Sequence, residues 1–308
     1  MAARVENVPG ISILVDDLIA VRNQLGNLAR SRLRRRSGSY SGAREIQLRG
    51  RGMEYEESRA YVYGDDVRTM DWRVMARTGE AHTKVFAEEK ERCCLIAVDL
   101  SASMFFGTRF AFKSWAAAQV AAHLGWLASL AGERIGGLVA SPEYHSEIRP
   151  GKTRRGLLGV FHHLARAAEL RPSGPSDTNR LNYLLNELSR VARPGADVLL
   201  ISDFLGCDRQ TLQLLSTICR HNQVHAYWIY DNSEVDDWAA GDYPILNQQR
   251  NQRLDLDDSQ HRAWLNEQQQ YHRQRVESLC TSFNIPLLAV SCNSDIFPQI
   301  LQGMQKVS

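Results

Sequence analysis

The stretch Cys94-Leu95-Ile96-Ala97-Val98-Asp99-Leu100-Ser101-Ala102-Ser103-Met104 decides the fold. An apolar run of this length, closed by a carboxylate, reads as a strand buried on both faces of a parallel sheet. In open α/β sheets ligands collect outside the carboxyl ends of such strands. Asp99, Ser101 and Ser103 therefore lie where a ligand belongs, alternating along the chain with apolar residues.

Downstream, strand-like and helix-like runs alternate. Helices are expected from about 110 to 130 (closed by Gly132), 154 to 168, ahead of Ala192, 209 to 221 and 258 to 283. Strands are expected over 94–99, 135–140, 144–148, 197–202, 224–230 and 286–291. Ser141-Pro142-Glu143 is too short for a crossover, so the second and third strands form an antiparallel hairpin at a sheet edge. A polar excursion with hairpin character precedes the last long helix. The fold class is α/β: a doubly wound, mostly parallel six-stranded sheet of Rossmann type, five strands parallel.

Upstream, Leu14, Leu18, Val21, Leu25 and Leu28 recur at steps of four and three, one stripe of an amphipathic helix over 13–30. Arg30, Arg32 and Arg34 to Arg36 follow, then the connector Ser37-Gly38-Ser39-Tyr40-Ser41-Gly42. The arginines read as a solvated helix end whose cations suit the C-terminal dipole, or as a docking patch for an acidic partner. Without interleaved aromatics they do not argue for nucleic acid.

The 308 residues are 44% hydrophobic and 23% charged, and 37 basic against 35 acidic residues leave a net charge of +2. This composition is that of a globular chain with no global attraction to nucleic acid or anionic lipid. The first residues lack the profile of a secretory signal, so a cytoplasmic location is expected. Six cysteines without CxxC spacing agree with packed, reduced thiols. The span between Lys113 and Glu133 carries no charge, but Gln119, His123, Ser114 and Ser129 mark it as a buried crossover helix rather than a membrane span. His162, His163 and His221 lack metal-ligand spacing.

A hard cation such as Mg²⁺ takes about six oxygens at roughly 2.0–2.1 Å and is held by one or two carboxylates. Asp99, Ser101 and Ser103 supply three. Thr178, just ahead of a helix, and Asp203, directly after the strand 197–202, emerge at the same edge if the two strands are neighbours. Without a metal, the same hydroxyls and acids would serve as turn and helix caps, Asp177 among them. The set Asp99, Ser101, Ser103, Thr178 and Asp203 resembles the metal-ion-dependent adhesion site of von Willebrand factor A-like domains, over residues 92 to about 305. It departs from that pattern where Ser176-Asp177 replaces Gly-Gly and Phe204 replaces Gly.

A second block, Gly52-Met53-Glu54-Tyr55-Glu56-Glu57-Ser58-Arg59-Ala60-Tyr61, is followed by Gly64-Asp65-Asp66-Val67-Arg68, Met70-Asp71-Trp72-Arg73 and Ala76-Arg77-Thr78-Gly79-Glu80. It resembles the bacterial family called domain of unknown function fifty-eight. That resemblance implies a von Willebrand factor A-like domain and a partner among the MoxR-type AAA+ ATPases, commonly encoded beside such proteins. Many relatives carry transmembrane helices ahead of this region, whereas this chain shows only the amphipathic helix and looks like a soluble member.

Three segments follow: 1–44, helix and basic connector; 45–91, a charged β annex; and 92–308, the α/β domain. In the annex Arg59, Asp65, Asp66, Arg68, Asp71, Trp72 and Arg73 offer either a partner surface or an ion-paired brace. The expected function is a non-enzymatic, metal-dependent protein-interaction module working with a MoxR-type ATPase in chaperone-like maturation of complexes. The cation expected is Mg²⁺, with Mn²⁺ or Ca²⁺ as alternatives, and a partner's acidic residue completes its shell. The alternative is a phosphatase-like hydrolase using Asp99; Ser101 then stands where such enzymes need a second acid. No GxxxxGK[ST] or GxGxxG cradle is present.

Overall fold

The computed structural model describes residues 8–25, 53–63, 65–88, 93–152, 154–170, 179–236, 238–247 and 250–306. Two compact units emerge: one of residues 1–34 and 92–308, the other of residues 35–91.

The larger unit is built on a six-stranded sheet of β3 (Cys93–Asp99), β4 (Arg134–Ser141), β5 (Tyr144–Lys152), β6 (Asp197–Ser202), β7 (Gln223–Tyr230) and β10 (Leu287–Ser291). Its order is β10-β7-β6-β3-β4-β5, parallel throughout except for the β4–β5 hairpin at the edge. The strand order reverses between β3 and β6, and the crevice beyond their carboxyl ends is where doubly wound sheets bind ligands. A separate hairpin pairs β8 (Asp242–Asn247) with β9 (Arg250–Asp255).

Residues of β3 alternate between two cores. Cys94, Ile96 and Val98 join α1 (Val15–Leu25), α3 (Lys113–Leu130), α4 (Arg154–Glu169) and α8 (Ile296–Lys306) on one face. Leu95 and Ala97 join α5 (Arg180–Val191), α6 (Arg209–Cys219) and α7 (Ser259–Ser282) on the other. The uncharged run is the buried crossover helix α3, covered almost all round, as an apolar helix in a core must be. Helix α1 lies over it: Trp126 donates its indole N–H to the Leu18 carbonyl at 3.0 Å, and Arg22 stands over the same ring.

Three elements differ from expectation, β5 by running on to Lys152 rather than ending near Ile148. Helix α3 starts at Lys113 rather than near Phe110, because the Phe112 N–H is drawn to the Gly10 carbonyl (2.8 Å) and the Lys113 N–H to that of Phe106 (2.9 Å). The terminal helix α8 went unread; Ile296 and Ile300 bury its inner face. Residues 26–52 and 171–178, including Arg30 to Arg36, Asp177 and Thr178, lie outside the described residues.

The smaller unit pairs β1 (Met53–Ala60) antiparallel with β2 (His82–Glu88), with α2 (Trp72–Thr78) between them in sequence. Asp71 caps α2 through the N–H groups of Arg73 and Val74, and Gly79, at φ 80°, closes it. The left-handed conformation favours glycine there.

Candidate functional site

Strands β3 and β6 run side by side with Val98 opposite Ile201, so Asp99 and the Ser202-Asp203 pair leave the sheet together. Asp99 Oδ1 accepts the Ser101 N–H at 2.9 Å, and Oδ2 accepts the Ser202 hydroxyl at 2.8 Å. The chain then turns through a short 3-10 segment, Ala102–Phe105. There the Ser101 and Ser103 hydroxyl oxygens lie 3.1 Å apart. Asp203 receives the Leu205 N–H at 3.1 Å, and the Ser103 hydroxyl lies close enough to favour its ionised form. Asp99, Ser101, Ser103 and Asp203 thus gather at one point, while Thr178 lies outside the described residues.

A residue from another element enters the same cluster. Lys113, the first residue of α3, is fully buried, and its Nζ donates to Asp203 Oδ2 at 2.9 Å and to Glu234 Oε1 at 2.6 Å. Burial alone would discharge this ammonium; the two carboxylates outweigh it and hold its pKa above the usual lysine range. Burial also opposes ionisation of Asp203, but Lys113, the Ser103 hydroxyl and the Leu205 N–H keep its carboxyl below the ordinary range. Asp99 has no such cation. Burial first, and then the Asp203 charge, push it up to about 7 against its hydrogen bonds from Ser202 and Ser101.

Beside this cluster Asp231, fully buried after β7, fastens the loop that leads into α3. It accepts the Thr108 N–H at 2.8 Å and the Thr108 hydroxyl at 2.7 Å. Its own N–H donates to Glu234 Oε2 at 3.0 Å, so the residue that pairs Lys113 is itself fixed. From α7, His272 Nε2 bonds the Asp203 carbonyl at 3.0 Å.

Phe204 explains the departure seen in the sequence. It adopts φ 56°, the left-handed region that a glycine would enter freely, yet its side chain is buried among β6, α5 and α6 residues. Its N–H donates to the Ser202 hydroxyl at 2.9 Å. Backbone strain is retained beside Asp203 and held by core packing.

The donor set fits a hard divalent cation. Cis oxygens of an octahedral shell at about 2.05 Å stand about 2.9 Å apart, close to the hydroxyl spacing in the structure. Within the set Asp99 is a buried carboxylate with no cation from the described residues beside it, its pKa raised first by burial and then by the Asp203 charge. Among the described residues no group of three His, Cys, Asp or Glu side chains forms a metal cluster, so any such site here rests on hydroxyls beside two acids.

Sequence reading missed Lys113, Ser202 and Glu234. The signals were present: Lys113 is the lone charge opening a helix that carries no other, and Asp231-Asn232-Ser233-Glu234 has capping-box spacing. Of the smaller unit's candidates, Arg59 pairs with Asp65 at 2.7 Å, Asp66 caps a 3-10 turn, and Asp71 caps α2 while accepting the Ser58 hydroxyl at 2.9 Å. Trp72 is 62% exposed; Arg68 and Arg73 are exposed beside it in sequence.

A family model described as Protein of unknown function DUF58 matches residues 57–277. The chain belongs to this family. Among relatives of this DUF58 protein, the uncharacterized protein Rv1480 of Mycobacterium tuberculosis and Mb1516 of Mycobacterium bovis are each 34% identical over 194 residues, 63% of this chain. The chain spans 60% of the length of these relatives. Among solved structures, BatB from Bacteroides thetaiotaomicron aligns with a TM-score of 0.42 at 14% identity, covering 70% of this chain and 98% of that one. A von Willebrand factor type A protein from Catenulispora acidiphila aligns at 0.33 and 12%, covering 49% and 35%. No helix among the described residues is long and apolar enough to cross a membrane.

Proposed function

We propose that this DUF58 protein is a non-enzymatic, metal-dependent interaction module. Asp99, Ser101 and Ser103 hold a divalent cation, Mg²⁺ before Mn²⁺ or Ca²⁺, with Asp203 behind them and Thr178 completing the set. The observation that carries this reading is the pair of hydroxyls 3.1 Å apart beside a buried carboxylate that lacks a counter-charge. When bound, the cation supplies an open position for an oxygen donor from outside the chain. The chain's own residues orient that position: Ser202 and the Ser101 N–H fix the Asp99 carboxylate, and the 3-10 turn presents the two hydroxyls.

The partner is an acidic residue of another protein, and the family resemblance points to a MoxR-type AAA+ ATPase in chaperone-like assembly of complexes, in the cytoplasm. Nucleophilic use of Asp99 is less well supported: burial favours its neutral form, both oxygens already accept hydrogen bonds, and Ser101 supplies no second acid. The test is calorimetric titration of the full chain with Mg²⁺ and Mn²⁺, followed by capture of the MoxR-type ATPase with Mg²⁺ or with EDTA. Asp99→Ala is expected to abolish both responses while leaving the fold intact. A wild-type chain that binds no divalent ion overturns the reading, as does robust Asp99-dependent hydrolysis of an aryl phosphate.

A further inference from the structure

The buried ammonium of Lys113 has no part in holding a cation, yet it lies against one of the proposed ligands. We infer that Lys113 sets the cation affinity of the strand-end site: by occupying Asp203 it keeps the second carboxylate out of a bound cation's direct shell, leaving the site dependent on an acid supplied by a partner. This rests on the proposed metal-binding reading and assigns a residue that the reading leaves without a role.

Both Asp203 oxygens are committed, Oδ1 to the Leu205 N–H and Oδ2 to Lys113 Nζ. The ammonium is not a mobile arm. Its backbone is tied to Phe106, its second partner Glu234 is fixed through Asp231, and Asp231 is in turn clamped on Thr108. A divalent ion approaching Ser101 and Ser103 therefore meets one carboxylate that pairs with no cation among the described residues, Asp99, held only by neutral donors, and a resident positive charge one carboxylate away. Affinity for hard cations is tuned by the number of charged ligands and by site rigidity. A site with one charged ligand and an adjoining fixed cation is weak alone, and a carboxylate from outside restores the missing charge. Among the charged side chains of this network, Glu234 alone has appreciable exposure, at 30%, while Asp99, Lys113, Asp203 and Asp231 are buried. The Lys113–Asp203 pair, 1% and 2% exposed, is thus not an exposed, salt-screened contact.

The test titrates the full chain with Mn²⁺, following free Mn²⁺ by electron paramagnetic resonance and thermal unfolding in parallel. Lys113→Met with Glu234→Gln removes one charge of each sign and frees Asp203. This double variant is expected to bind Mn²⁺ about tenfold tighter or more, and to gain more in melting temperature from the ion than wild type. Asp203→Asn in the otherwise native chain is expected to change Mn²⁺ affinity by less than about threefold, and in the double variant to erase the gain.

Equal affinity in wild type and double variant overturns the inference and leaves the proposed function standing. Binding by the double variant alone upholds the inference and removes metal dependence from the native chain. Absence of binding in both overturns the two together. If the double variant is recovered unfolded, Asp203→Asn decides: loss of Mn²⁺ binding overturns the role of Lys113, and retention upholds it.

Discussion

Replacing Asp99 with Asn should stabilise the metal-free protein in alkaline solution and not in acid. In the fold the Asp99 pKa rises from 3.8 to about 7, chiefly through burial and next through the charge on Asp203. Because the folded value lies above the unfolded one, the stability that protonated Asp99 contributes is complete below about pH 4, is lost progressively as pH rises from there, and is gone above about pH 7. Roughly three pK units at about 1.4 kcal/mol each set a ceiling of about 4 kcal/mol for that loss. An asparagine escapes it. Its amide oxygen can keep one of the two hydrogen bonds from Ser101 and Ser202, and losing the other costs about 1 kcal/mol. The expected net gain is therefore about 2–3 kcal/mol near pH 8.5, under about 1 kcal/mol near pH 5, and it turns into a small loss only below about pH 4. Urea unfolding in EDTA at the two pH values measures it. A stability difference between Asp99→Asn and wild type that is the same at both pH values would refute the reasoning, since it would mean Asp99 does not titrate between them.

Two further substitutions probe how the site is braced. Phe204→Gly relieves a left-handed backbone worth about 1–2 kcal/mol but empties a buried ring position worth about 3–5, so chemical denaturation should show a net loss of about 2–3 kcal/mol; a stabilised variant would show that strain dominates there. Gly156→Ala drives a methyl into the Ile135 carbonyl where α4 crosses β4, and a loss of about 3 kcal/mol is expected from its thermal unfolding, against no change if the helix can lift away.

Much of this architecture was legible in the chain because the parallel strands are buried on both faces and so appear as unbroken apolar runs: 197–202 reads off directly, and the β4–β5 hairpin follows from a three-residue connection. Asp99 and Asp203 were legible for the same reason, each ending such a run. Lys113 was not, because a lysine at the edge of an apolar helix looks like a solvated boundary. Only the tertiary arrangement, which brings Asp203 and Glu234 to it from the loops after β6 and β7, makes its burial possible. Helix α8 escaped although Ile296, Phe297, Ile300, Leu301 and Met304 recur at helical spacing, because Pro298 interrupts the run and the helix follows the last strand, where no further crossover demands one. The charged block of the smaller unit looked like a mesh of ion pairs. Asp66 and Asp71 prove to act on backbone N–H groups, a role that side-chain charge alone does not announce.

The Ser202 hydroxyl does more than complete the Asp99 shell. It gives its proton to Asp99 while taking one from the N–H of Phe204, so a single atom joins the loops that follow two different strands. Any reorientation of the Asp99 carboxylate, whether by a proton or by an ion, must turn that hydroxyl and is registered at the left-handed peptide beside it. The ends of β3 and β6 are thereby coupled through one hydroxyl, just ahead of exposed Leu205 in the loop after Phe204.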